Sequence, residues 1–142
     1  MFEALPGVTD VTVGYAGGFE EWPTYKSIKD HTEALRIEFD PTVISYDKIL
    51  ESFFEQTDMT YMPYSNQYRN ALLVHNPEQR AIAQELFIAQ CQQGKGPYLK
   101  IEDATTFYRA EEYHQKFLAK QTRTMVPASA LTADYRPAIF PK

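Results

Sequence analysis

Apolar and polar residues first alternate at Val11, Val13 and Tyr15, with Thr12 and Gly14 between them, and this period of two predicts a strand that Ala16-Gly17-Gly18 ends. Ahead of it, residues 1–5 read as the last turn of a helix stopped by Pro6-Gly7. Residues 17–30 are mostly polar, contain Pro23, and predict a long loop. Alternation returns from His31 to Phe39. It places His31, Glu33, Leu35, Ile37 and Phe39 on one face and Thr32, Ala34, Arg36 and Glu38 on the other. A carboxylate therefore shares the apolar face. Asp40-Pro41 closes that strand, Ser45 suits an N-cap, and Ile49, Leu50, Phe53 and Phe54 form the stripe of an amphipathic helix over 46–56.

A second loop, 57–68, is rich in tyrosine and leads into an apolar strand around Ala71-Leu72-Leu73-Val74. The long helix after it has a well-marked start: Asn76 as cap, Pro77 in the first helical position and Gln79 as a capping-box partner. Ile82, Leu86 and Ala89 supply its inner face, and Gly94-Lys95-Gly96-Pro97 stops it. Tyr98-Leu99-Lys100-Ile101 predicts a short strand, and 110–120 a helix carrying Tyr113 and Phe117 inward. From Thr122 onward no period is visible, so residues 122–142 are expected to be a tail that wraps the surface or is partly disordered. Residues 1–121 then form one domain of two-layer α+β type, helices against one sheet.

Composition narrows the function more than the fold. A chain of 142 residues can bury roughly 68–70% of the surface its unfolded form exposes, enough for one core. No stretch approaches the ~20 apolar residues of a membrane span, and no signal-peptide pattern opens the chain. With one cysteine no internal disulfide can form, and a reducing, cytoplasmic setting is expected. A net charge of −5 without any cluster of Lys and Arg argues against nucleic acid. The ten tyrosines and nine phenylalanines suit a core, and a tyrosine-rich loop also suits a pocket.

Among residues able to do chemistry, Glu33 stands first. A carboxylate in line with Leu35, Ile37 and Phe39 loses solvent, which raises its pKa and makes it a proton donor; a solvated or ion-paired glutamate at a sheet's end is the plainer alternative. His31 is more simply a structural hydrogen-bonder than a base. Tyr25, Tyr61, Tyr64 and Tyr68 can aim hydroxyls at a substrate oxygen, though core packing explains them nearly as well. Cys91 falls in the last turn of the long helix, where the dipole opposes a thiolate, and is read as structural. His75 and His114 lack metal-ligand spacing, and no phosphate loop or Ser-His-Asp pattern occurs. No metal and no cofactor are expected.

Taken in order, several stretches resemble the peptide methionine sulfoxide reductase A family. Leu5-Pro6-Gly7-Val8 and Gly14-Tyr15-Ala16-Gly17-Gly18 are similar to its Leu-Pro-Gly-Val and Gly-Tyr-x-Gly-Gly, and Pro23-Thr24-Tyr25 to its Pro-Thr-Tyr. His31-Thr32-Glu33-Ala34 resembles its His-x-Glu-Ala strand, running on through Phe39-Asp40-Pro41 and Ile44-Ser45-Tyr46. Gln67-Tyr68-Arg69 and Ala110-Glu111-Glu112-Tyr113-His114-Gln115 complete the set. The resemblance implies a ferredoxin-like α/β plait and thiol-dependent return of methionine S-sulfoxide, in proteins or free, to methionine. By motif, Glu33 is the acid that protonates the sulfoxide oxygen, and Tyr25 and Tyr68 hold that oxygen. The reductant implied is an external thiol such as thioredoxin or glutathione.

The chain also departs from the family pattern. The nucleophile of the family lies in Gly-Cys-Phe-Trp-Gly, which by register would stand just ahead of Met1, together with a first strand central to the sheet and the Phe-Trp pair that cups the substrate methyl. Trp22 does not match that place, Pro63 stands where many members have an aspartate, and the resolving cysteines are absent. Two explanations compete: an incomplete copy begun at an internal methionine, or a silent homologue that binds methionine-sulfoxide peptides or serves as a structural partner. Losing three large buried side chains with a central strand forfeits roughly 5–9 kcal/mol, against a whole-domain stability of about 5–15 kcal/mol. That comparison favours the incomplete copy.

Overall fold

The computed structural model describes residues 2–23, 31–62, 69–110 and 130–135. A short 3-10 turn, Phe2–Ala4, precedes β1 (Val8–Ala16) and β2 (Thr32–Phe39), then α1 (Tyr46–Gln56), β3 (Ala71–Val74), α2 (Pro77–Gln92), β4 (Lys100–Asp103), β5 (Tyr108–Arg109) and β6 (Ala130–Tyr135). The predicted helix at 46–56 and strand at 71–74 fall where the pattern puts them; the strand expected at 98–101 begins two residues later. The helix expected over 110–120 lies outside the described residues beyond Ala110.

One mixed sheet holds the molecule together, in the order β4-β3-β6-β2-β1-β5. β1 and β2 pair antiparallel, with Val13 opposite Leu35 and Tyr15 opposite Glu33. β6 runs parallel to both of its neighbours, so that Leu131 stands between Leu35 and Leu72. The row continues through Ile101 on β4. Its large side chains face α1 and α2, where Ile49, Leu50, Phe53 and Phe54 complete one apolar cluster. On the opposite face the adjoining row is small: Ala34, Ala130 and Ala71. The alternation inferred for 31–39 is therefore real, and both faces of its central part are covered.

Two expectations change. Residues 130–135, expected within a surface-wrapping tail, are instead a central strand, and Leu131 is 1% exposed. They leave no gap between β2 and β3, so the stability loss anticipated for a missing central strand does not apply to this sheet. The inner face of α2 is also wider than expected: Ile82 and Leu86 pack against the core as read, and the buried residues are Gln79 and Ala83. Gln79 is held there by its own hydrogen bonds. Its backbone N–H donates to Asn76 Oδ1 at 2.8 Å, as the cap predicts, but its side chain accepts from the His75 N–H and donates to the Ala133 carbonyl of β6. The helix start is thereby fastened to the central strand.

Candidate active site

Glu33 stands second in β2, and its side chain shares a face with Leu35 because residues two apart in a strand do so. Its register partner is Tyr15, and the register partner of Tyr15 on the other side is Tyr108. Directly opposed residues point to the same face, so Glu33, Tyr15 and Tyr108 form a row across β2, β1 and β5. Tyr15 is fully buried and Glu33 half-buried. Loss of solvent pushes the Glu33 carboxyl above the ordinary glutamate range. A carboxyl shifted in this direction holds its proton more readily than a free glutamate, which is the property proton donation draws on.

His31, two residues earlier, is completely buried and hydrogen-bonds through Nε2 to the Glu20 carbonyl. A carbonyl only accepts, so Nε2 carries the proton. The ring also meets Tyr108 edge-on, centroids 5.4 Å apart. His31 thus pins the 18–23 segment against the start of β2, in agreement with a structural role.

The turn after β1 is fixed from the other side by Arg69. The residue is 4% exposed, and its guanidinium donates to the Gly17 carbonyl at 2.9 Å and pairs with Glu102 on β4 at 3.1 Å. A Cβ on Gly17 would fall 2.5 Å from that guanidinium, at φ +86°. Gly14 is equally constrained: a Cβ there would lie 2.4 Å from the Phe107 ring. Gly14 and Gly17 therefore serve close approach, one to an aromatic ring and one to a buried cation.

Tyr25, Tyr64 and Tyr68, named above as oxygen ligands or pocket residues, lie outside the described residues, as does His114. Tyr61 is exposed. Cys91 is exposed in the last turn of α2, its sulfur against Gly96, on an element that packs with α1, β3 and β4. It is not part of the Glu33 row. Among the described residues no group of three or more His, Cys, Asp or Glu side chains could hold a metal ion, and no helix is long and apolar enough to cross a membrane. Tyr15, Tyr108 and Trp22 are the members of this neighbourhood that the sequence pattern does not single out. Trp22 packs edge-on against Tyr108. The signal for Tyr15 was the strand register, available only once β1 and β2 are paired.

A model of the peptide methionine sulfoxide reductase family matches residues 1–140. The chain belongs to that family. Peptide methionine sulfoxide reductase MsrA of Ligilactobacillus salivarius is 42% identical over 131 residues, covering 84% of this chain and 76% of that protein. The MsrA of Listeria innocua is 41% identical over 132 residues, covering 84% and 75%. Among solved structures, Mxr1 from Saccharomyces cerevisiae in reduced form is similar at a TM-score of 0.70 and 30% identity, over 84% of this chain and 75% of that one. Reduction of methionine sulfoxide is the activity of the peptide methionine sulfoxide reductase family, and the two-layer α+β arrangement agrees with its solved members.

The Glu33 environment carries a stability consequence. Below the unfolded value of about 4.3 both states hold the proton and burial costs nothing. As pH rises through the raised folded value, the charged form is disfavoured in the fold and stability falls. Glu33→Gln should therefore raise the melting temperature at pH 7 and change it little near pH 3.5. Scanning calorimetry at the two pH values checks this, and an equal effect at both would remove desolvation as the cause.

Proposed function

We propose that this site works on methionine S-sulfoxide, with Glu33 protonating the sulfoxide oxygen and Tyr25 and Tyr68 holding it. Overall, two thiols supply two electrons and two protons, the S–O bond breaks, the oxygen leaves as water and the thiols end as a disulfide. Oxygen is a poor leaving group unless protonated, so a desolvated carboxyl is the part this chain contributes. The raised Glu33 carboxyl in the Tyr15 row is the observation that carries the reading. The reductant in this proposal is a small or protein thiol of the glutathione or thioredoxin kind, and the setting is cytoplasmic.

Carbon-13 NMR of the Glu33 carboxyl tests this on the chain as it stands. Its titration midpoint should lie above the ordinary ~4.3, and saturating methionine S-sulfoxide should move the signal more than the R epimer does. A midpoint at or below the ordinary value, or indifference to both epimers, removes the assignment.

The position of Cys91 favours a second reading. The only cysteine of the chain lies at the C-terminal end of α2 and not in the Glu33 row, so by itself the chain binds sulfoxide without turning it over.

A further inference from the structure

Trp22 is placed at odds with its chemistry. It is 74% exposed and adopts φ 59°, a conformation unusual for a bulky residue, immediately before Pro23, where extended backbone is the norm. Two contacts hold it there. The indole packs edge-on against Tyr108, centroids 5.5 Å apart with planes at 63°, and the segment behind it is tied down by the His31 hydrogen bond to Glu20. Phe19, in the same segment, is 86% exposed. Backbone strain that presents an indole to solvent against a half-buried tyrosine ring fits a binding surface better than a loop packed for stability.

Tyr108 links this patch to the candidate active site: it belongs to the Glu33 row, and its ring meets that of His31, two residues before Glu33. Two strand spacings separate Glu33 from Tyr108, roughly 10 Å, and an extended peptide covers that distance in about three residues. We propose that Trp22, set edge-on against Tyr108, is a specificity subsite that takes an apolar side chain two or three positions from the methionine sulfoxide in an extended polypeptide. The inference rests on the sulfoxide reading of Glu33 and goes beyond it, since it assigns a preference among the side chains that neighbour the methionine sulfoxide in a peptide. The occupant is apolar because the exposed rings of Phe19 and Trp22 are what the patch offers it, while Glu20 and Glu21 beside them disfavour an acidic side chain.

Trp22 is the one tryptophan of the chain, so its emission reports the subsite without a label. The probes are a hexapeptide with methionine S-sulfoxide and phenylalanine three positions away, the same peptide with serine in place of phenylalanine, and free methionine S-sulfoxide. Trp22 emission and the Glu33 carboxyl signal are followed together. The phenylalanine peptide should shift the emission to shorter wavelength, saturate, and bind about fivefold to tenfold more tightly than the serine peptide. Trp22→Gly, which suits the left-handed backbone, should bring the phenylalanine peptide to the affinity of the serine peptide, read from the carboxyl signal. If Glu33 responds to all three probes with equal affinity for the two peptides, the subsite is wrong and the sulfoxide reading stands. If Trp22 responds and Glu33 does not, or if nothing binds, the sulfoxide reading fails and the subsite as stated fails with it.

Discussion

Leu131→Ala should cost the fold about 2–5 kcal/mol, the range for truncating a well-buried leucine. The side chain lies between Leu35 and Leu72 in the central row of the sheet, beneath the helices, and is 1% exposed. A loss of that size is a large part of the roughly 5–15 kcal/mol that stabilises a domain. Urea or thermal denaturation measures it. A substitution in a surface tail would change stability by no more than about 0.5 kcal/mol, so a result that small would take residues 130–135 out of the sheet. The same experiment bears on the Gln79 fastening, since the carbonyl it binds, that of Ala133, belongs to the same strand.

The chain of 142 residues should reduce no methionine sulfoxide at a measurable rate, whatever it binds. In the proposed mechanism thiolate attack on sulfur supplies the electrons, and proton donation by Glu33 only assists it. Joining the family's Gly-Cys-Phe-Trp-Gly segment and preceding strand ahead of Met1 should produce dithiothreitol-dependent reduction of the S epimer. The same extension with serine for that cysteine should bind and stay inert. In the active form, Glu33→Gln should lower kcat by about 10²- to 10⁴-fold, the usual contribution of a general acid. Turnover by the unextended chain would overturn the mechanism; a folded, cysteine-bearing extension that stays inert would make sulfoxide binding the better account.

Local chemistry made much of the fold readable. Alternation over 31–39 located β2 and put Glu33 on its apolar face because that strand lies between β1 and β6, with both neighbours holding it in register. Asn76, Pro77 and Gln79 located the start of α2 through capping, which depends on a handful of adjacent residues. β6 was not readable for the opposite reason. Ala130-Leu131-Thr132-Ala133 offers one large aliphatic, because the slot is narrow and lined by alanines from both neighbours, and its partners are distant in the chain. Tyr108 was missed because a strand of two residues has no period to detect. Of the proposed site, Glu33 was legible from pattern, and Tyr25 and Tyr68, proposed as oxygen ligands, were picked out from the other tyrosines only by resemblance. The edge-on aromatic contact with Tyr108 required the third dimension, since it joins residue 22 to residue 108 across two strands.

The placement of β6 also sets the order in which the molecule can be made. During synthesis β1, β2, α1, β3 and α2 all leave the ribosome before the strand that joins β2 to β3. Until Ala130–Tyr135 arrives, both of those strands present an open edge, the feature that invites pairing with other chains. Closure then depends on contacts between residues 34–39 and 130–135, a separation that makes folding slow relative to local helix formation. A nascent chain of this sequence therefore spends its vulnerable interval with the middle of its sheet unfilled, and holding factors that shield strand edges should matter more to its yield than to its final stability.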